Sequence, residues 1–424
     1  MTALSEYDYF GVDEQSRSDP YRFFALAREA GPAYREPRRD VYVLTRYDDI
    51  VEVARDTTRF SSIVAPSGPD TVFPGALEGN KLAATVARFR SQMVANIPLI
   101  TLDPPDHTRY RALVSKFFSP ARVRSLEPYV RALANELIDD FAEKGHVEFV
   151  RAFAGPYPLL VIADLLGVPR SDQPEFKRLL QDEAADSDIV GNPDHDNAAI
   201  NGELQMHILR CFNQYIEDRR ANPTDDVLSA LANATFPDTG ERPSTFDIIA
   251  LAFVIFGAGQ ETTSRLFTNG MLVLARNPDL AERLRRDPSK LENFVEEALR
   301  FDTPVKGLFR LALVDVEISG APIPAGSVLM LAYGAANHDP AHFDEPERFD
   351  PERSNARNTL SFGHGAHFCP GASLARVEGR LGFAALLERM QDIRLDPPDC
   401  AVEYVPSYVL RGLREMNLAF TPAS

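Results

Sequence analysis

Cysteine is scarce in this sequence of 424 residues, which has three cysteines and no Cys-x-x-Cys pair. Cys211, Cys369 and Cys400 lie far apart, and their odd number excludes a fully paired disulfide framework. Such sparse use of cysteine is typical of proteins that fold in a reducing compartment. We interpret Cys211 and Cys400 as structural or surface residues, which leaves Cys369 as the cysteine with chemically distinctive neighbours.

Long apolar runs and an excess of basic residues are also lacking. The first residues, MTALSEYDYFGVDEQ, contain neither a basic segment nor an apolar stretch, so we expect no secretory leader and a cytoplasmic location. The apolar run at 248–259 is shorter than the roughly 20 residues that cross a bilayer, so we expect no membrane span. The formal charge of −17 disfavours nucleic acid and anionic membranes as partners, because both attract positive surfaces.

No Gly/Ser-rich or highly charged linker divides the chain, so we predict a single domain over residues 1–424. A content of 44% hydrophobic and 25% charged residues supplies enough apolar material for a core. Helical patterns dominate before Pro304, and short strand-like runs with turns follow it. The sequence therefore predicts a mainly α fold with a smaller β region (α+β).

The stretch at 362–378, FGHGAHFCPGASLARVE, surrounds Cys369 with glycines. Gly363, Gly365 and Gly371 permit positive φ angles and a close approach of the backbone to a flat ligand. A helical pattern begins directly after this loop, and a helix N-terminus favours a thiolate. These features indicate a thiolate metal ligand such as the axial sulfur of a haem iron. The alternative is a structural cysteine, because free cysteine behaves mainly as a small apolar residue.

This stretch resembles the haem-ligand signature of the cytochrome P-450 superfamily. The positions that match it in residue type and spacing are Phe362, Gly365, His367, Cys369 and Gly371. The resemblance implies a cytochrome P-450 fold with one haem b, whose iron is bound by Cys369. It also implies that Phe362 packs beside the haem and the sulfur, that Gly363 and Gly371 belong to the cofactor loop, and that His367 reaches a haem propionate.

A second motif lies in an apolar pattern that predicts one long helix over residues 244–276. Gly257 and Gly259 weaken this helix, and the Thr262 hydroxyl is expected to bond to the carbonyl of Ala258, four residues earlier. Close packing against another element, together with a helix bend, is one explanation for the two glycines.

The AGQETT sequence in this helix resembles the oxygen-activating groove of the same superfamily. The resemblance implies a long central helix over the haem, with Ala258 facing it. Glu261 would relay protons, and Thr262 would hold the iron-bound oxygen or its water. A hydroxyl and a carboxylate supply a proton path through an otherwise apolar cavity.

Further contacts that the resemblance implies fall into two groups. The basic side chains expected at the haem propionates are His107, Arg111 and Arg310. The residues expected to line the substrate pocket are Val305, Lys306, Leu308, Val409 and Leu410. By itself, the spacing of His107 and Arg111 is also typical of a solvated helix face. For Lys306 we consider two hypotheses, because a buried cation is costly unless paired: its ammonium binds a polar group of the substrate, or it snorkels to the surface.

Other expectations concern charged residues and one proline. The candidates for docking an acidic electron donor are Arg109, Lys116, Arg122 and Arg376. The resemblance assigns a buried ion network to Glu297, Arg300 and Arg348. Pro370 has no N–H to donate to the sulfur, which predicts a more electron-rich thiolate and a lower reduction potential. Alternatively, this proline merely starts the following helix.

Two segments have a composition typical of loops. Residues 61–98 are rich in proline, glycine and small residues, and in the resembling family the equivalent segment caps the substrate pocket. A polar break at 186–197 is either a mobile lid or a plain surface loop.

The resemblance extends from about residue 20 to 418 and implies a soluble bacterial-type monooxygenase. Such an enzyme inserts one oxygen atom from O2 into a C–H bond of a small lipophilic substrate. We expect a separate ferredoxin or flavodoxin to supply electrons, because no flavin or iron–sulfur motif is visible. Two alternatives remain: a haem-thiolate peroxygenase or isomerase, which needs no proton relay, and a haem sensor without turnover, which needs no donor site.

Overall fold

The computed structural model describes residues 4–75, 77, 79–92, 99–183, 203–398 and 400–423. These residues form a mainly helical fold with small β-sheets, which confirms the predicted α+β class. The polar break at 186–197 lies outside the described residues. So does part of the segment at 61–98.

The helices that precede the central one are α1 (Glu14–Ser18), α2 (Pro20–Ala30), α3 (Tyr47–Arg55), α4 (Leu82–Gln92), α5 (Asp106–Ser115), α6 (Pro120–Asp139), α7 (Pro156–Leu166), α8 (Gln173–Glu183), α9 (Glu203–Ala221) and α10 (Val227–Ala232). The central helix and those that follow it are α11 (Thr245–Arg276), α12 (Pro278–Arg286), α13 (Leu291–Phe301), α14 (Tyr333–Ala336) and α15 (Ala372–Arg389). The prediction of a continuous loop at 61–98 is wrong where α4 forms, because its alanines, arginines and leucine favour a helix.

The strands are β1 (Ala33–Glu36), β2 (Val41–Leu44), β3 (Phe60–Ser61), β4 (His146–Glu148), β5 (Leu308–Ala312), β6 (Val316–Ile318), β7 (Ala321–Ile323), β8 (Val328–Leu331), β9 (Met390–Leu395) and β10 (Asn417–Pro422). Five of them form one sheet in the order β1-β2-β8-β5-β3. In this sheet β2 and β8 are parallel and the other pairs are antiparallel. A three-stranded sheet has the order β4-β10-β9, and β6 pairs with β7.

The central helix α11 is the long helix that the apolar pattern predicts. Ser244 is its N-cap and forms a capping box with Asp247. The backbone N–H of each residue donates to the side chain of the other, which pairs two N–H groups that the helix itself leaves free. Its 32 residues span about 48 Å at about 1.5 Å per residue. It packs against α7, α9 and α15.

By length and composition, α11 is also the one helix of the described residues that meets the criteria for a membrane span. This is a weak indication, because the core helix of a soluble protein meets the same criteria. The packing of α11 against three other helices fits a core helix.

A buried ion network joins α13 to the segment that follows β8. Arg300 donates two hydrogen bonds to the carboxylate of Glu297, at 2.7 and 2.8 Å, and both side chains are 0% exposed. The third member is Arg353, whose Nε lies 3.2 Å from Glu297 Oε1. The prediction of Arg348 is therefore wrong: its side chain is 62% exposed and pairs with Glu345 at 2.9 Å.

The sequence contains the triplet Pro-Glu-Arg twice, ending at Arg348 and at Arg353, and the two triplets are identical in residue type. The backbone carbonyl of Arg348 accepts hydrogen bonds from both Arg300 and Arg353. The chain at the first triplet thus faces the network with its backbone, while the second triplet supplies the side chain.

This network predicts unequal effects for two matched substitutions. We expect Arg353→Met to lower the free energy of unfolding by about 1–3 kcal/mol, because the buried Glu297 carboxylate and the carbonyls of residues 344, 345 and 348 each lose a donor. Arg300 still pairs with the carboxylate in this variant. Arg348→Met should change it by less than about 0.5 kcal/mol, as is usual for an exposed side chain. Urea denaturation of both variants measures the difference, and equal losses would contradict the assignment of Arg353.

Candidate active site

The loop that carries Cys369 is held by tight turns and a backbone hydrogen bond. Gly363 and Gly365 have φ angles of 67° and 70°. A Cβ at Gly365 would lie 2.3 Å from the carbonyl oxygen of Ala54, so no larger residue fits there without displacing α3. The N–H of Cys369 donates to the carbonyl of Phe362 at 2.9 Å, which closes the loop.

The sulfur of Cys369 lies at the N-terminal end of α15. Burial raises the pKa of the thiol, while the backbone N–H groups of Gly371 and Ala372 and the charge of Arg111 lower it. Pro370 contributes no N–H to this set. Burial prevails, so the pKa of the thiol is raised overall, and the N–H groups and guanidinium charge offset part of that rise. These groups would stabilise the thiolate form that binds a metal.

Two imidazole rings pack against each other at this loop, with their planes tilted by 35°. The ring centroids of His107 and His367 lie 4.1 Å apart. His367 Nδ1 donates to the Leu99 carbonyl at 3.2 Å, and its Nε2 lies 2.9 Å from the Ser62 hydroxyl. Burial, together with nearby guanidinium groups, lowers the pKa of His107 to about 4 and that of His367 to about 3. Both rings are neutral at pH 7 in this arrangement.

One nitrogen of this pair is unsatisfied. His107 is 2% exposed, and its Nε2 has no hydrogen-bond partner within the described part of the chain. Buried polar atoms without partners are rare in proteins and call for an explanation such as a bound group. The Nε2 atom thus marks a place where a polar ligand is expected.

The two arginines predicted at the propionates differ in their contacts. Arg310 is 3% exposed, and its charge lowers the pKa of both His107 and His367, so it lies close to the imidazole pair. The Nη2 atom of Arg111 instead donates to the carbonyl of Phe368 at 2.6 Å, on the side of the sulfur. The charge of Arg111 also lowers the pKa of both histidines, so the structure brings both arginines near the imidazole pair. Arg111 contacts the cysteine loop in addition.

The middle of α11 presents small residues on an exposed face. Gly257 and Ala258 are exposed although most residues around them are at least partly buried. A Cβ at Gly259 would lie 3.1 Å from the Ile162 side chain, whereas a Cβ at Gly257 would meet nothing within 4 Å. Close packing thus explains Gly259 but not Gly257, which faces open space.

The hydroxyl and the carboxylate of α11 both have partners on that helix. The Thr262 Oγ1 donates to the Ala258 carbonyl at 2.8 Å, which confirms the predicted hydrogen bond. The Glu261 carboxylate lies 3.4 Å from the guanidinium of Arg265, one turn later. Burial raises the pKa of Glu261, and Arg265 opposes that rise.

The predicted pocket residues come from two segments that lie side by side. Val305 forms an antiparallel bridge with Leu410, and the Lys306 N–H donates to the Val409 carbonyl at 2.7 Å. Val305 and Leu308 are partly exposed, whereas the other three predicted residues are buried. Of the five predicted pocket residues, only Val305 and Leu308 therefore have exposed surface that a ligand could contact.

The side chain of Lys306 occupies a buried position. Its Nζ donates to the Ser407 carbonyl at 2.6 Å and lies 5.4 Å from the centre of the Tyr9 ring. The snorkelling hypothesis is wrong, because this residue is 2% exposed. Desolvation lowers its pKa well below the usual value. The contact of Lys306 with a substrate stays a prediction. Within the protein, the carbonyl of residue 407 already accepts a hydrogen bond from its amino group.

The basic residues considered for donor docking are mostly paired within the chain. Arg109 contacts Asp238 at 3.0 Å, and Arg122 contacts Asp225 at 3.7 Å. Arg376 donates to the buried Glu296. Lys116 is exposed and lies over the ring of Phe117.

Sequence reasoning missed two residues that contact the site. Arg265 stands four residues after Glu261, a spacing that predicts an ion pair on any helix. Ser62 reaches His367 from the end of β3, 305 positions away in the chain, and no local pattern signals such a contact.

Comparisons with known proteins agree with this geometry. The family profile described as Cytochrome P-450 matches residues 38–392. The 6-deoxyerythronolide B hydroxylase of Saccharopolyspora erythraea is 36% identical over 411 residues, 96% of each chain. The vitamin D(3) 25-hydroxylase of Pseudonocardia autotrophica is 34% identical and covers 100% of this chain and 98% of its own.

A solved structure is similar along the whole chain. The substrate-free cytochrome P-450 CYP150A6 of Mycobacterium marinum superposes with a TM-score of 0.90 at 38% identity, over 100% of both chains.

The glycine geometry predicts opposite effects for two alanine substitutions. We expect Gly365→Ala to lower the free energy of unfolding by at least about 2 kcal/mol, because of the positive φ and the collision with Ala54. Gly257→Ala should raise it by about 0.5–1 kcal/mol, since alanine favours a helix and the space is open. Urea denaturation compares them, and a loss in both would contradict the open space at Gly257.

The burial of Lys306 predicts a pH dependence. Because its pKa is lower in the folded than in the unfolded protein, the unfolded state binds more protons below pH 10, and stability rises with pH. We expect the free energy of unfolding of the native protein to rise between pH 7 and 10 by up to about 1.4 kcal/mol per pH unit more than that of Lys306→Met. Lys116→Met is the control, since an exposed lysine should leave the slope unchanged. Parallel curves for the native protein and Lys306→Met would contradict the prediction.

Proposed function

This chain belongs to the cytochrome P-450 family and is a haem-dependent monooxygenase, and on that premise we propose that it inserts one oxygen atom from O2 into a C–H bond of a lipophilic substrate. The cofactor would be haem b, with Cys369 as its axial ligand. The observation that carries this proposal is the glycine-bounded loop that holds a partly buried sulfur at the start of α15. Bound haem would supply the activation of O2.

The cofactor would be held by polar groups at its propionates and by small residues of α11. The Nε2 atom of His107, which has no partner in the described part of the chain, and the buried guanidinium of Arg310 suit the negatively charged propionates. His367 and Phe362 would flank the same edge and the sulfur. Ala258 and Gly257 present little side-chain bulk, so a flat group can lie against α11.

Protons would reach the reaction through Thr262 and Glu261. Because the Thr262 hydroxyl donates its hydrogen bond to the Ala258 carbonyl, its oxygen is left to accept a hydrogen bond from a water. Glu261 would hold the next proton, and its raised pKa makes it a better proton carrier near neutral pH. Its partner Arg265 keeps the carboxylate beside the site between turnovers.

The substrate would be a small lipophilic molecule. By their names, one relative hydroxylates 6-deoxyerythronolide B and another hydroxylates vitamin D(3). In this chain the open space beside Gly257 and the partly exposed Val305 and Leu308 would supply room and apolar contacts for such a molecule.

Electrons would come from a cytoplasmic ferredoxin or flavodoxin. Bacterial members of the family generally use ferredoxin-type partners. Such donors are acidic and this chain has a net charge of −17, so docking would need a local basic surface. The exposed Lys116 would contribute most to it, because Arg109 and Arg122 are already paired with carboxylates.

The absorption spectrum of the dithionite-reduced protein with carbon monoxide tests the proposal. A Soret band at the long wavelength that gives the family its name is expected, because thiolate ligation shifts it there. Cys369→Ser should abolish this band, while Cys211→Ser, the matched control, should retain it. A band at the short wavelength typical of histidine-ligated haem in the native protein would contradict the role of Cys369.

Turnover separates the three candidate activities. We expect oxidation of a lipophilic substrate driven by NADH, a ferredoxin and its reductase. Turnover with hydrogen peroxide alone would favour a peroxygenase, and ligand binding without turnover under either condition would favour a sensor.

A further inference from the structure

Arg376 is the basic residue whose contacts differ most from those expected of a docking residue. Its Nε and Nη2 atoms donate to the two carboxylate oxygens of Glu296, at 2.6 and 3.1 Å. Glu296 lies on α13, and its side chain is only 4% exposed. A guanidinium paired in this forked manner with a buried carboxylate is held in one geometry.

The other contact of Arg376 is with the cysteine loop. The centre of its guanidinium lies 4.5 Å from the centre of the Phe362 ring, within the range of a cation–π interaction. Phe362 is 9% exposed. Its carbonyl accepts the N–H of Cys369 at 2.9 Å, so the backbone that carries this ring also holds the cysteine.

We propose that Arg376 is a positioning residue: held by Glu296, it fixes the Phe362 ring and, through it, the loop that carries the sulfur of Cys369. This inference rests on the proposed role of Cys369 as haem ligand. For Arg376, this positioning role replaces the expected role in docking an electron donor.

Exposure and charge pairing support the positioning role. The Arg376 side chain is 22% exposed, and Glu296 already neutralises its charge. By contrast, the ammonium of Lys116 is exposed on the surface. An acidic donor would therefore gain more from Lys116 than from Arg376, because an already paired charge has little left to offer a partner.

The position of Arg376 also contributes to the electrostatic environment of the Cys369 sulfur. The positive charge of Arg376 lies on one face of Phe362 and is among the charges that act on Cys369. Groups next to an axial ligand tune the reduction potential of the metal that it binds. Release of Arg376 from Glu296 should therefore change the potential and loosen the loop together.

The test uses the haem-loaded protein and four variants. Arg376→Met removes the guanidinium, and Arg376→Lys keeps its charge without the fork. Glu296→Gln removes the buried anchor without touching the surface, and Lys116→Glu reverses an exposed charge. The measurements are the reduction potential, the rate at which the reduced carbon monoxide complex loses its long-wavelength band on warming, and the KM for a bacterial ferredoxin.

We expect Arg376→Met and Glu296→Gln each to speed the loss of the band by about tenfold or more, as for removal of a charge-assisted hydrogen bond. Both should shift the reduction potential, and Arg376→Lys should restore part of the native behaviour. Neither should raise the KM for ferredoxin by more than about twofold. Lys116→Glu should raise that KM and leave the band as stable as in the native protein.

Opposite results would overturn the inference. If Arg376→Met raises the KM while the band and potential stay native, and Glu296→Gln has no effect, Arg376 is a docking residue. If both variants lose only global stability, with a native potential, the pair is merely structural. A native protein without the long-wavelength band would overturn the proposed function as well, whereas a native band with unresponsive variants overturns this inference alone.

Discussion

A sulfur anion inside a protein costs free energy, because a low-dielectric interior penalises the charged form. Burial of Cys369 raises the pKa of its thiol, so the fold has to supply compensating donors and positive charge. The N-terminal turn of α15 supplies two N–H groups, and Arg111 and Arg376 supply charge. The glycine turns then hold the loop so that these groups all face one atom.

The charges around this site differ in sign from the net charge of the chain. The net charge is strongly negative, yet the side chains that meet at the cysteine loop are neutral imidazoles and buried guanidinium groups. Most surface arginines near the loop are already paired with carboxylates. A ligand with negative groups at its edge would be attracted by the buried guanidinium of Arg310 and by the Nε2 atom of His107, which has no partner among the described residues.

The parts of the site that the sequence predicted are those written in local patterns. The loop of Cys369, the helix behind it, the full length of α11 and the hydrogen bond of Thr262 all depend on residues within a few turns. The parts that it did not predict depend on tertiary contacts. No local pattern tells the two Pro-Glu-Arg triplets apart, and none places Lys306 on the carbonyl of residue 407 or Arg376 on Glu296.

The pairing of distant segments constrains when the site can be assembled. Val305 bridges Leu410, and β4 at 146–148 pairs with β10 at 417–419. Both contacts therefore form only after residues 410 and 417 have left the ribosome, although α11 emerges much earlier. Contacts between residues far apart in the chain form slowly, because loop-closure entropy opposes them. The predicted pocket residues Val409 and Leu410 therefore join Val305 and Lys306 only after the cysteine loop at 362–371 has been synthesised.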